Sequence, residues 1–367
     1  MDPLVEAAAI FDRGGALQGP DRVGVTRVGC KNGWAILNWA GWLTLCAIGL
    51  LAPSGLLAAC EGDNLIAALP PEQRAELQAA ADAQPFAKGN LWTAAKDGQT
   101  ITLIGTYHLD DPRHGIIRAR LPDMLATAKT VLVEAAPKEV SALQAHVAAH
   151  PERLMNAEGP PLTEALSDAD WLRLSGAMLA RGIQPVFAAK MQPWYISSVL
   201  AIPPCQFSQA GRAPGLDRQL VDLASDRAIP VVSLEPFDTV FGIFDSFSPQ
   251  DQMAMLVQSL DTVAVDDDMA VTVADSYFSG ENRLFWEFTR LQIMTASGVT
   301  QAEADRQLAL IEEAMIIRRN RAWLPVITAA AAEGPVVAAF GALHLSGVQG
   351  VLNLLAGEGW TVLRVDP

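Results

Sequence analysis

Two histidines occur in the same local sequence far apart in the chain. Ile104-Gly105-Thr106-Tyr107-His108 and Phe340-Gly341-Ala342-Leu343-His344 each lead from an apolar run through a glycine to an imidazole. Each is followed, after a stretch of helical spacing, by Thr-Val-Leu, 22 residues on at Thr130 and 17 residues on at Thr361. Two carboxylates also close apolar runs, Glu134 after Val131-Leu132-Val133 and Glu235 after Val231-Val232-Ser233-Leu234. In an α/β sheet the crevice beyond the C-terminal strand ends is where ligands bind, because side chains and backbone donors face open space there. Two imidazoles with one or two carboxylates at such ends could hold a divalent metal with a position left for water. A lone strand-end histidine is ordinarily a hydrogen-bonded surface residue, so it is the repetition of GxxH that points to chemistry. Glu134 is the stronger carboxylate, since a lone glutamate after a buried strand is costly unless paired. Glu235 could equally cap a helix. Gly105 and Gly341 would permit a tight turn or the close approach of another backbone.

The elements that must position these groups alternate along the chain. Leu91–Ala95 and Thr100–Ile104 flank Asp97-Gly98, a strong hairpin signal. Ile116–Ala128 has helical spacing, and Thr130–Glu134, Ile183–Ala188 and Ile229–Leu234 are apolar enough for buried strands. Residues 240–330 lack strand signals and predict a helical insertion. Val336–Phe340, a helix near Gly350–Ala356 and a strand at Trp360–Val365 close the chain. The expected fold is α/β, a mixed central sheet with two β-GxxH-α-β units and surrounding helices. Those units should bring His108 and His344 to neighbouring strand ends, with Glu134 pointing into the same crevice.

Other arrangements fail on chemistry. His146 and His150 are spaced i,i+4 but lack a zincin's adjacent glutamate, and predict a solvated helix face. Cys205 has no neighbouring histidine to activate it. Asp266-Asp267-Asp268 lacks the glycine and final glutamate of a calcium loop, which leaves a solvated turn. Beyond residue 60 there is no G-x-S-x-G elbow, Walker loop or G-x-G-x-x-G.

Half of the 367 residues are hydrophobic and only 18% are charged, which fits a packed globular chain. A net charge of −15, with no basic stripe, argues against nucleic acid as a partner. The apolar run Trp34–Leu51 follows Arg22, Arg27 and Lys31 and precedes Leu57-Ala58-Ala59-Cys60. This is the pattern of a secretory signal whose cleavage exposes a cysteine, and it resembles a bacterial lipobox. Its leading segment is long, so Val25 or Val28 could be the true start. Residues 1–59 are therefore expected to be a signal peptide and 60–90 a tether with a short helix, followed by one domain over 91–367. A lipidated Cys60 would anchor the chain to the membrane at the cell envelope, with Glu61 implying the periplasmic face of the outer membrane. An uncleaved membrane helix is the alternative. With Cys30 and Cys46 removed and Cys60 acylated, Cys205 would have no disulfide partner.

Gly105–His108, Val131–Glu134, Gly215-Leu216-Asp217 with Ser233-Leu234-Glu235, Arg319-Asn320 before Trp323, and Gly341–His344 with Gly359-Trp360-Thr361-Val362 form an ordered set. Over about residues 91–366 it resembles the TraB/GumN family, which includes Tiki-type metalloproteases and is similar in fold to haem-binding ChaN-like and erythromycin-esterase-like proteins. The resemblance implies a centre of His108, Glu134 and His344, with Arg319 and Asn320 nearby and Asp217 at the family's Gly-x-Asp. Asp217 also suits a helix N-cap, and Arg319 a solvated helix face. The function so implied is metal-dependent hydrolysis of a peptide or protein substrate. Manganese, cobalt or zinc would be held by His108, His344 and Glu134, and Arg319 or Asn320 would steady the oxyanion. The alternative is a binding protein without turnover, taking a peptide, haem or a polysaccharide-export partner in the same groove.

Overall fold

The computed structural model describes residues 60–207, 215–295 and 300–365. The leader with its apolar run, Cys30, Cys46 and its two possible starts lies outside the described residues. Among the described residues no helix is long and apolar enough to cross a membrane.

Six strands, β1 (Leu91–Lys96), β2 (Gln99–Thr106), β3 (Thr130–Val133), β4 (Val231–Ser233), β5 (Val336–Gly341) and β6 (Thr361–Arg364), form one sheet in the order β4-β3-β5-β2-β1-β6. β1 is antiparallel to both of its neighbours, β2 and β6, and the β2–β5, β5–β3 and β3–β4 pairs are parallel. Asp97 and Gly98 turn β1 into β2 with φ of 49° and 81°, the left-handed pair that a two-residue hairpin needs. From β2 the chain crosses towards β3, and from β5 it crosses the other way to β6. Adjacent parallel strands whose connections diverge make a crevice at their C-terminal ends, and β2 and β5 are such a pair. Their register places Gly105 opposite Phe340 and Thr106 opposite Gly341, so both GxxH turns emerge side by side. The expected mixed α/β sheet with its two GxxH units is therefore present.

The longer helices are α1 (Pro71–Asp82), α2 (Pro137–Ala149), α3 (Asp168–Ala180), α4 (Pro193–Leu200), α5 (Leu216–Asp226), α6 (Thr239–Asp245), α7 (Pro249–Thr262), α8 (Asp266–Phe278), α9 (Asn282–Thr295), α10 (Gln301–Glu312), α11 (Arg318–Glu333) and α12 (Val351–Gly357). Strand alternation sends Val131, Val133, Val337 and Ala339 to one face of the sheet, where they meet Leu216, Leu220 and Ala224 of α5. Leu132, Val336, Ala338 and Phe340 face the other way, towards Trp323 and Ile327 of α11 and Leu352 and Leu355 of α12. A separate core of α2, α3, α4, α6 and α7, centred on residues such as Tyr195, Ile196 and Leu256, forms a helical layer.

Three sequence expectations are corrected. Ile183–Ala188 is not a strand: Pro185 lacks the N–H a ladder needs and instead opens a helical turn over Pro185–Ala188, leaving Val186 71% and Phe187 50% exposed. Asp266–Asp268 is not a solvated turn but the first turn of α8, where acidic groups complement the helix dipole and Asp266 pairs with Arg181 at 2.8 Å. The segment from Cys60 to Leu69 is not a loose tether. Asp63 N–H donates to Asp268 Oδ1 (2.7 Å) and Leu65 N–H to Thr272 Oγ1 (2.8 Å), and the missing side chain of Gly62 leaves room for the backbone of Asp267 and Asp268. Beyond it, Ile66 and Leu77 of α1 pack on Phe288 of α9.

Cys60 is joined to Cys205 in a disulfide, so the expectation that Cys205 has no partner is overturned. The spacing rules could not show this pairing because 145 residues separate the two positions. A sulfur in a disulfide cannot also carry a thioether-linked lipid, so the acyl anchor expected at Cys60 and this bridge exclude each other. Peptide mapping without reductant should recover Cys60 linked to Cys205. Cys205→Ser should lower stability by about 2–4 kcal/mol through the long loop it releases in the unfolded chain. Recovery of an acylated Cys60 peptide would overturn the bridge.

Candidate active site

The β2 and β5 turns place His108 and His344 beside Glu134, which follows β3, the strand on the other side of β5. A Cβ built on Gly341 would lie 3.2 Å from His108 Nε2, 3.3 Å from Glu134 Oε1 and 3.7 Å from His344 Cδ2. The glycine is therefore needed because three side chains converge on the space a side chain would fill, rather than for a tight turn. Its amide donates to Glu134 Oε1 at 2.6 Å. Gly105 is packed in the same way, against Leu345 and Ala342 of the second unit.

Behind His108 stands Asp217, whose Oδ1 is 3.3 Å from His108 Nδ1. Burial works against charge on Asp217, and the His108 imidazole, by its charge and its hydrogen bond, favours the ionised carboxyl. The ionised carboxylate accepts from Nδ1–H and so makes Nε2 the basic nitrogen, directed at the Gly341 space. Gly215 brings this about. A Cβ there would come within 2.2 Å of the His108 carbonyl oxygen, and Leu216 N–H donates to Tyr107 O at 3.1 Å, so α5 starts flush against the β2 turn. Gly215 is the N-cap, so Asp217 is not; it is buried within the first turn.

Arg319 is not on a solvated face. It enters from the start of α11, directly after one turn of π-helix over Glu313–Ile317, and is 7% exposed. Its Nε and Nη2 donate to Glu235 Oε2 (2.9 Å) and Oε1 (2.8 Å), and Nη2 also to Glu134 Oε2 (2.5 Å). Nη1 donates to Met315 O (3.3 Å) and His344 Nε2 (3.2 Å). Trp323 Nε1 donates to Glu235 Oε2 at 3.0 Å, which makes Glu235 an anchor and not a helix cap. One guanidinium thus serves two carboxylates. Burial alone would raise Glu134, but Arg319, with the two imidazoles, holds it well below the carboxylate range. Burial and the neighbouring Glu134 push Glu235 up against the opposing pull of Arg319.

Asn320 is fully buried and fixes His344. Its Nδ2 donates to His344 O (3.3 Å) and Gln349 O (2.8 Å), so its Oδ1 accepts from His344 Nδ1–H at 2.6 Å. His344 Nε2 is then the acceptor for Arg319. Burial first, and the Arg319 charge second, bring His344 down to about 3, so it is neutral in the fold. The unfolded chain takes up this proton near 6.5, so stability is expected to fall as pH drops from about 6.5 towards 3. Urea titrations at stepped pH should show that slope, and His344→Gln should flatten its upper part, above the range where carboxylates titrate. An unchanged slope in the variant would show that His344 is not the group responsible.

These contacts also test the expected metal centre. Both nitrogens of His344 are engaged within the protein, and the His344 atom nearest a Cβ on Gly341 is the carbon Cδ2, where His108 presents Nε2 and Glu134 presents Oε1. Among the described residues, only Cys60, Cys205 and Asp267 gather three such ligand atoms within 4.8 Å of one another, and two of these form the disulfide. His108, Glu134 and His344 therefore do not fit as a three-ligand centre. Nor do Arg319 and Asn320 face a substrate as oxyanion donors, because their donors are committed to Glu134, Glu235, His344, Met315 and Gln349.

His108 and Glu134 form the floor of a cavity of about 380 Å³. Its walls, which sequence reasoning missed, come from Ala201 and Ile202 after α4, Val273 and Tyr277 of α8, Phe285 and Trp286 of α9, and Ile311, Met315 and Ile316 before α11. Only their helical spacing was visible in the sequence, and that spacing serves cavity and core alike. Tyr277 OH donates to Gly105 O at 2.9 Å and its ring stacks on Tyr107 at 5.5 Å, tying the wall to the first GxxH turn. Helices of the insertion expected over 240–330, together with the end of α4, thus close the site. No curated protein matches the chain. The model of the TraB/PrgY/gumN family matches residues 90–364, the span that carries both GxxH turns, Glu134, Asp217, Glu235 and Arg319, and the chain belongs to that family.

Proposed function

We propose that the chain is a hydrolase in which His108 is the general base. The observation that carries this reading is that His108 Nε2 and Glu134 Oε1 come together beside Gly341 on the lining of an apolar cavity, with Asp217 behind the imidazole. A water in the cavity beside His108 would lose a proton to Nε2 as its oxygen bonds to a carbonyl carbon, and the imidazolium would return that proton to the leaving amine or alkoxide as the carbonyl–heteroatom bond breaks, while Asp217 keeps the ring in the tautomer that accepts it. Glu134, held ionised by Arg319, accepts the water's second hydrogen and orients its lone pair. Arg319 and Asn320 act as positioning residues, one for Glu134 and His344, the other for His344 alone. Apolar walls exclude competing water and favour a substrate with an apolar group next to the bond that is cut. The Cys60–Cys205 bridge supports a location outside the reducing cytoplasm, consistent with the envelope address of the leader.

The test is a cleavage assay on the purified full chain with ester, amide and peptide panels, followed by product mass. It is run alone and with added manganese, cobalt or zinc. Cleavage without added metal that is lost in His108→Ala supports the reading. Cleavage that appears only with metal replaces it by the metallohydrolase alternative. A bound ligand, whether peptide or haem, with no bond cut would mark the cavity as a binding site without turnover.

A further inference from the structure

A second cavity of about 280 Å³ adjoins the first, and Trp286, Ile316 and Leu343 line both. Its character is different. Where the first cavity is walled by aliphatic and aromatic groups, the second carries Arg283, Arg290 and Ser346. Two arginines in one small cavity are notable in a chain with 26 basic and 41 acidic residues. Arg283 is fixed by Glu287, to which its Nε and Nη2 donate at 2.9 and 2.6 Å. Its Nη1 lies against Gly347, where a Cβ would be 3.1 Å away and where φ of +93° favours glycine. Arg290 is 3.7 Å from Glu287 and 40% exposed, which leaves its guanidinium reachable from the cavity. Ser346 is 7% exposed, and its buried hydroxyl makes no hydrogen bond among the described residues. A buried hydroxyl left unpaired costs free energy, and a ligand acceptor would remove that cost.

We propose that this second cavity is the subsite for a carboxylate on the substrate whose scissile bond lies at His108. The inference rests on the hydrolase reading for the position of that bond. A planar carboxylate matches the guanidinium fork of Arg290 and accepts from Ser346 Oγ–H. A phosphate dianion suits the cavity less well, because Glu312 on its lining and Glu287 behind Arg283 offset the arginine charge. The substrate is then an amphiphilic acid, its apolar part beside Trp286 and Tyr277 and its charged end beyond Leu343, as in an N-acyl amino acid.

N-octanoylglycine and its methyl ester provide the test, titrated calorimetrically into the full chain and into its His108→Ala variant. Both proteins should prefer the free acid by about ten- to a hundredfold, the range expected for charge-assisted hydrogen bonds. Arg290→Ala and Ser346→Ala should each remove most of that preference by weakening the acid far more than the ester. Arg290 is exposed enough for its replacement to leave the fold intact, which a melting curve checks. Equal affinity for acid and ester, or binding of neither, overturns the subsite. A preserved acid preference with no turnover by the unsubstituted chain would sink the hydrolase reading alone, whereas equal cleavage of acid and ester would sink the subsite alone.

Discussion

His108→Ala should lower turnover by about 10²–10⁴-fold, the contribution of a well-placed general base, with little change in substrate affinity or in the melting curve. The fold should survive because the His108 side chain is 18% exposed at the cavity floor and belongs to none of the apolar cores. Asp217→Asn is the companion variant. A carboxamide can present its N–H to Nδ1 and stabilise the wrong tautomer, which would take Nε2 out of use as a base, so the loss should have the same sign. Asp217 is 2% exposed, however, so its replacement should also cost stability, and the melting curve separates the two effects. His344→Gln divides this mechanism from one centred on His344. That ring is engaged by Asn320 and Arg319, so its replacement should act through the position of Arg319 and change turnover less than the loss of His108. Should His344→Gln abolish turnover while His108→Ala spares it, the roles assigned to the two imidazoles would have to be exchanged.

The two histidines show where sequence reasoning reached and where it stopped. Their shared GxxH context, each at the end of an apolar run, was enough to place both at neighbouring strand ends, because strand direction and crossover topology follow from local pattern. Their difference was not legible. It arises from what stands behind each ring: Asp217, brought by α5 from 109 residues away, behind His108, and Asn320 of α11 behind His344. Arg319 posed the same difficulty. A helical arginine is solvated by default, and only the tertiary arrangement reveals two carboxylates and an imidazole around it. The cavity walls were hidden for another reason, since Phe285, Trp286 and Ile311 carry the periodicity of any buried helix face. Cys60 illustrates a competing local signal, for Leu57-Ala58-Ala59-Cys60 has the form of a processing site while its sulfur is bonded to Cys205.

Arg319→Leu should be the most destabilising single substitution at the site, by about 3–5 kcal/mol, because it leaves buried carboxylates without their partner. That is a large share of the roughly 5–15 kcal/mol that holds a typical domain folded. Glu134 and Glu235 are 2% and 8% exposed, so water cannot replace the guanidinium in the intact fold. The variant can respond only by protonating a carboxyl or by opening the cluster. Protonation should recover part of the loss, so Arg319→Leu should gain stability as the pH is lowered towards the carboxylate range. In the unsubstituted chain Glu134 does the reverse: its depressed folded pKa adds stability that is fully present above about 4.5 and is lost progressively as the pH falls below that value towards the lowered folded pKa. Arg319→Lys should fall between the two, since an ammonium restores the charge but not the fork that meets Glu235 through Nε and Nη2 while reaching Glu134 and His344. If Arg319→Leu does not fold, Arg319→Leu with Glu134→Gln and Glu235→Gln should recover much of the loss, because it removes the unpaired charge and not merely the pair. Urea midpoints across pH decide the matter. A single Arg319→Leu variant with unchanged midpoint and unchanged pH slope would show that the cluster does not depend on this guanidinium, and with it would go the argument that Arg319 keeps Glu134 charged beside His108.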